Sequence, residues 1–196
     1  MEKTTKNAPD YLVLINKDNR MPEDFLDTIR LVSLINDIGD PIEVEEKAYE
    51  AYLRLQKDLL ENDGLQINIR TSYRSVQRQE EVFQKNLEKY GLEQAKKYVA
   101  VPGYSEHHSG LAIDVTILKD GEYPRARAEF LAMDDLYQIV HKKLPRYGFI
   151  LRYLKGKEAI HGYGYEPWHF RYIDSPEIAK EITDRGICFE EYCLQR

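Results

Sequence analysis

Two short segments of this chain carry residue types that do chemistry together. Ser105-Glu106-His107-His108-Ser109-Gly110-Leu111-Ala112-Ile113-Asp114 supplies imidazole and carboxylate, and Glu166-Pro167-Trp168-His169 supplies a further imidazole behind a glutamate. His107, Asp114 and His169 make a two-histidine, one-aspartate donor set, which suits zinc. Three protein ligands leave the fourth position of a tetrahedral ion open to water, the catalytic rather than the structural arrangement. Glu166 then stands ready as a general base. His108 adjoins His107 and competes for the same role, and residue parity in a loop does not choose between them. Each of these residues has an ordinary explanation when taken singly, as a surface histidine or a paired aspartate; the combination makes the case.

The elements around these segments must bring them together. Leu111 to Leu118 alternates as a strand, with Leu111, Ile113, Val115 and Ile117 facing a core and Ala112, Asp114 and Thr116 facing a cleft. A carboxylate in so apolar a strand is costly to bury unless it is paired or bound to a metal. Gly110 lets the loop that carries His107 fold close to the strand. Trp168 to Ile173 and Gly148 to Tyr153 read as two more strands, joined through a glycine-rich turn over 156–164. Val44 to Asn62 is the clearest helix, with Ala48, Tyr52, Leu55 and Leu59 on one face and Tyr49, Leu53 and Leu60 beside them, ended by Gly64. A strand follows over Leu65, Ile67 and Ile69. A helix from Ser75 to Tyr90 buries Val76, Phe83, Leu87 and Tyr90, a short one spans Leu92 to Val99, and a long one spans Arg127 to Tyr147. Residues 1–10 read as a flexible tail, Tyr11 to Asn16 as a strand, and the stretch to Pro41 as chain wrapping the body. Together they predict a single α+β domain over 11–196, a small, mainly antiparallel sheet flanked by helices, with the zinc site in a cleft on the sheet.

Composition narrows the classes. The 196 residues, 42% hydrophobic and 32% charged, suffice for one domain with a real core. A net charge of −6 with no basic stripe argues against nucleic-acid binding. No segment approaches the roughly 18 apolar residues of a membrane span, and the first residues lack the apolar stretch of an export signal. The sequence as it stands is therefore expected to be soluble and cytoplasmic, or of the cell envelope if a signal or anchor has been trimmed from its start, and a monomer is the expected state. Cys188 and Cys193 are not spaced as a zinc pair and read as a reduced pair near the end of the chain. Fifteen tyrosines are many for this length, and partly buried packing is their expected use.

The first segment fits Ser-x-His-x-x-Gly-x-Ala-x-Asp at Ser105, His107, Gly110, Ala112 and Asp114. The second fits Glu-x-Trp-His at Glu166, Trp168 and His169, and Ser72-Tyr73-Arg74-Ser75 with Gln79 gives a third element. This pattern resembles the zinc peptidases that include VanY-type D-alanyl-D-alanine carboxypeptidases, VanX-type D,D-dipeptidases, bifunctional enzymes between them, and LdcB-like L,D-carboxypeptidases. The resemblance runs from about Tyr11 to Ile173. It implies His107, Asp114 and His169 as zinc ligands, Glu166 as catalytic base and Arg74 as the oxyanion donor. It also implies that Gln79 and Ser105 lie near the substrate. His161 stands where related chains often carry threonine, which bears on the edge of the substrate pocket.

The implied substrate is a peptidoglycan precursor peptide ending in D-alanine, with D,D-carboxypeptidase activity favoured. L,D-carboxypeptidase or bifunctional dipeptidase activity is the alternative. A reading of another class is a zinc-containing binding module like the hedgehog-type signalling domains of the same fold; Glu166 and Arg74 argue against it, since binding alone requires neither. A purely structural zinc domain is a third class, and it would close the site with a fourth ligand.

Overall fold

Apolar alternation and helical periodicity meet in a four-stranded sheet backed by one long helix. The structure, a computed structural model, describes residues 8–36 and 38–196. In chain order come α1 (Phe25–Thr28), β1 (Leu31–Ile35), β2 (Pro41–Glu45), α2 (Glu46–Asp63), β3 (Ile67–Thr71), α3 (Val76–Tyr90) and α4 (Leu92–Tyr98). Then follow β4 (Ala112–Ile117), α5 (Arg127–Leu131), α6 (Asp134–Lys143), β5 (Phe149–Leu151), α7 (Glu158–His161), β6 (His169–Tyr172), α8 (Pro176–Arg185) and α9 (Phe189–Cys193). β1 and β2 form a hairpin, and the main sheet runs β3-β4-β6-β5 with every pairing antiparallel. The α+β expectation holds.

Leu111, Ile113, Val115 and Ile117 are all buried, and they pack with Ile67, Ile69 and Phe170 against Ala48, Tyr52, Leu55 and Leu59 of α2. Removing this apolar area from water, at about 25 cal/mol per Å², is the main force holding sheet to helix. Glu45 caps α2 by accepting from the Ala48 amide, and Gly64 ends it in the left-handed conformation. A smaller cluster of Ile150, Ile173, Ala179, Ile182 and Phe189 attaches α8 and α9. Among the described residues, no helix is long and apolar enough to cross a membrane.

Several expectations are corrected. Tyr11 to Asn16 joins no strand: the carbonyls of Tyr11 and Val13 accept from the Arg171 guanidinium instead of from a neighbouring strand. The chain before Pro41 contains a strand, β1, which pairs with β2. The helix expected over 127–147 breaks at Met133, whose backbone leaves the helical region, and it ends in a 3-10 turn over Leu144–Tyr147, where Pro145 has no amide to continue an α-helix. Leu53 and Leu60 on α2, and Val76 and Tyr90 on α3, are exposed; Gln79 joins Phe83 on the buried side of α3. Of the proposed tail, residues 1–7 lie outside the described residues.

Candidate metal centre and active site

Sheet register sets the site. Asp114 of β4 lies directly opposite His169 of β6, so both side chains leave the same face of the sheet. His107 arrives on a 3-10 turn, Glu106–Ser109, that precedes β4 and ends in Gly110 at φ 70°. A Cβ at Gly110 would stand 2.7 Å from Leu31 Cδ2 and 3.3 Å from the Glu45 amide nitrogen, so the glycine is what lets this turn lie against the hairpin.

One donor atom from each of His107, Asp114 and His169 lies within 4.8 Å of the others. His107 Nε2 is 3.4 Å from Asp114 Oδ2, and His169 Nδ1 is 3.0 Å from Asp114 Oδ1. The far nitrogen of His107, Nδ1, hydrogen-bonds the Ser72 carbonyl at 2.8 Å and so fixes Nε2 toward the centre. Asp114 Oδ1 is buried and has no hydrogen-bond partner. A buried carboxylate that turns one oxygen to each of two imidazoles, one of those oxygens unpartnered, fits a shared cation, and the nitrogen and oxygen donors fit zinc. Burial opposes charge on Asp114, but His107 and His169 outweigh it and hold the carboxyl well below its usual range. Burial likewise works against charge on His169, yet Asp114 and Glu106 raise it to about 9.

A cavity of about 160 Å³ opens over the trio, walled by Arg74, Gln79, Ser105, Tyr153, Tyr163, Glu166 and Trp168 among others. Burial pushes the Glu166 carboxyl up to about 7, against the pull of His169 and Arg127. That places it where a general base works near neutral pH. Its Oε2 is 3.9 Å from His169 Nδ1, while Oε1 accepts from Arg127 at 3.0 Å. Arg74 follows β3, and its guanidinium donates to Gln79 Oε1 at 2.9 Å; Gln79 in turn donates to the Ala100 carbonyl at 2.7 Å. Gln79 therefore orients Arg74 as well as lining the cavity.

His107, Asp114, His169, Glu166, Arg74, Gln79 and Ser105 thus all border one cavity, whereas His108 and His161 do not. His108 does not compete for the metal: Nδ1 hydrogen-bonds the Arg74 carbonyl at 2.6 Å and Nε2 accepts from the Gly103 amide at 3.0 Å, so both ring nitrogens are used in pinning the Arg74 loop. His161 lies behind the cavity wall, bonded to the Leu154 carbonyl, with its ring 5.4 Å from Tyr153. Trp168 forms part of the wall and also packs on Phe130 at 5.0 Å. Arg127 and Glu106 were missed by sequence reasoning. Arg127, from α5, lies over Tyr98 and Trp168 and holds Glu166 and the Tyr165 carbonyl. No spacing connects it to Glu166, 39 residues away.

The profile of the VanY family, D-alanyl-D-alanine carboxypeptidase, matches residues 41–175. The chain is 38% identical over 151 residues to the bifunctional D-Ala-D-Ala dipeptidase and carboxypeptidase VanXYC of Enterococcus gallinarum, covering 74% of this chain and 73% of that one. It is 31% identical to a D-alanyl-D-alanine carboxypeptidase of Enterococcus faecalis, across 92% of this chain and 65% of that protein's length. Among solved structures, a mutant of the vancomycin resistance D,D-pentapeptidase VanY in complex with Zn(II) superposes with a TM-score of 0.76 at 30% identity, covering 93% of this chain and 98% of that one. The LdcB LD-carboxypeptidase gives 0.70 at 34% identity, over 93% and 85% of the two chains. The chain belongs to the VanY family of D-alanyl-D-alanine carboxypeptidases.

Proposed function

We propose that this protein is a zinc-dependent carboxypeptidase that removes the C-terminal D-alanine from cell-wall precursor peptides ending in D-Ala-D-Ala. The observation that carries the reading is the convergence of the His107, Asp114 and His169 donors with Glu166 and Arg74 on one cavity. Zinc, when bound by the trio, supplies a Lewis acid that acidifies water to a pKa of about 7. Glu166 is the proton carrier. Its Oε1 is taken by Arg127, which leaves Oε2, the oxygen facing His169, to accept the water proton and deliver it to the leaving amine. Arg74 donates to the developing oxyanion, held by Gln79, and Ser105 on the same wall lies beside the substrate.

The D,D reading has further support from one neighbour, and an L,D or bifunctional reading has support from two others. A VanYB structure in complex with D-alanine-D-alanine superposes with a TM-score of 0.76 at 29% identity, covering 93% of this chain and 97% of that one. LdcB, an LD-carboxypeptidase, is nearly as similar, and VanXYC is bifunctional. Release of free D-alanine from a muramyl pentapeptide, the matching tetrapeptide and free D-Ala-D-Ala separates these branches. Pentapeptide cleavage alone is the expected result, added dipeptide cleavage makes the enzyme bifunctional, and tetrapeptide cleavage alone moves it to the L,D branch. No release from any of the three by zinc-loaded protein overturns the proposal and favours a binding module.

A further inference from the structure

Beneath the candidate zinc ligands lies a charge cluster that the proposed reaction does not use. Glu106 precedes His107 in sequence, yet its side chain is fully buried and takes no part in the cavity wall. Its Oε1 accepts from Arg152 Nε and from Arg171 Nη1, each at 2.8 Å, and both arginines are wholly shielded from water. Arg152 spends its remaining nitrogens on Glu190 of α9, at 2.8 and 2.5 Å. Arg171 reaches the carbonyls of Tyr11 and Val13, at 3.1 and 2.8 Å. Two carboxylates and two guanidiniums so balance in charge, and the ends of the described chain close around them. Burying such a cluster is costly, and it weighs against stability unless nearly every polar atom is satisfied.

Two atoms at the heart of it are not satisfied. Glu106 Oε2 and His169 Nε2 are both buried without a hydrogen-bond partner, and they face each other at 3.6 Å. A movement of well under 1 Å brings them to hydrogen-bond distance. The opposite ring nitrogen, Nδ1, is the one turned to Asp114 and Glu166. A carboxylate behind a histidine ligand fixes both the ring's orientation and its tautomer. Two arginines on Oε1 prevent this carboxylate from rotating away.

We propose that Glu106 is a positioning residue of the metal centre, holding the His169 ring with its proton on Nε2 and Nδ1 aimed at the ion, while Arg152, Arg171 and Glu190 clamp Glu106 in place. The inference rests on the ligand set assigned above. It makes α9, remote from the cavity, part of the device that shapes the metal site.

Nuclear magnetic resonance of zinc-loaded protein with 15N-labelled histidine tests this directly, because two-bond correlations report which ring nitrogen carries the proton. The expected result is a His169 ring protonated at Nε2. A proton on Nδ1 with zinc bound overturns the inference and leaves the ligand set intact, whereas failure of the protein to bind zinc overturns the ligand set itself. Competition with a chelator supplies the second measurement. Glu106→Gln, and Glu106→Gln combined with Arg171→Met to keep the buried charges balanced, are both expected to bind zinc roughly 10–100-fold more weakly than wild type. A double variant that melts at the wild-type temperature and binds zinc within about twofold of wild type assigns Glu106 to packing alone and overturns the inference.

Discussion

Replacing Gly110 by alanine tests whether close approach of the His107 turn to the hairpin builds the metal site. Two costs add at this position. Left-handed backbone at φ 70° costs an alanine about 1–2 kcal/mol. Crowding against Leu31 Cδ2 and the Glu45 amide adds about 1–2 kcal/mol, in the lower part of the range for overpacking, because the leucine can turn aside and the backbone cannot. The sum is about 2–4 kcal/mol. Gly64 provides the control. It has nearly the same backbone, φ 67°, but nothing within 4 Å of an added Cβ, so Gly64→Ala is expected to cost only the first part, about 1–2 kcal/mol. Urea unfolding of the metal-free proteins measures both, and chelator competition then measures zinc affinity. The Gly110 amide bonds the His107 carbonyl at 3.3 Å, and the Gly110 carbonyl accepts from Glu45, so a displaced Gly110 drags His107 with it. Gly110→Ala should therefore weaken zinc binding and Gly64→Ala should not. Equal stability losses in the two variants, or unchanged zinc affinity in Gly110→Ala, would refute the reasoning.

Arg74→Ala should lower kcat by about 10²–10³ with zinc content unchanged, as expected for loss of one oxyanion donor, and steady-state kinetics with metal analysis would expose a smaller effect. Removing zinc with a chelator should abolish D-alanine release and leave far-UV circular dichroism unchanged, because the main core packs on α2 without calling on the ligands; loss of fold on chelation would point to a structural site. Asp58 ties α2 to the end of α6 and the turn after it by accepting from Lys143 and Tyr147, accepts also from Asn62 of α2 itself, and is held by these bonds well below the usual carboxylate range. A depressed carboxylate stabilises the fold above its unfolded pKa and loses that contribution as pH falls, so the Tm gap between wild type and Asp58→Asn should be open at pH 7 and shrink below about pH 4. A gap that does not change with pH would remove the charge from the explanation.

The site was legible because its residues lie in compact motifs and its strand pairs are periodic. Asp114 could be placed on the cleft face from alternation alone, and the structure pairs it with His169 in register. What stayed hidden depends on contacts between distant segments. Tyr11 to Asn16 opens on a continuous apolar run suited to a strand, and it does half-bury, with Tyr11 and Val13 against one cluster and Leu12 and Leu14 against the other. Its carbonyls, however, serve Arg171, a partner 158 to 160 residues away that no local pattern names. Glu106 falls on a variable position of the motif, and its burial depends on two arginines, one just beyond β5 and one within β6. One clue was present in sequence: Arg152 and Arg171 interrupt otherwise apolar strands, and a charge in such a place demands a buried counter-charge. The β1–β2 hairpin escaped notice because apolar Ile35 lies on its exposed side and charged Glu45 is buried, so residue type does not follow its period of two.

The central claim is that Glu166 moves the proton at a zinc site built by His107, Asp114 and His169. The most direct test is D-alanine release from muramyl pentapeptide by wild type and Glu166→Gln, with bound zinc measured on the same samples. The account predicts one zinc per chain in both proteins and a loss of turnover in the variant of at least the 10²–10⁴-fold that general base catalysis typically contributes. Turnover by Glu166→Gln at the wild-type rate, with zinc in place, would contradict it.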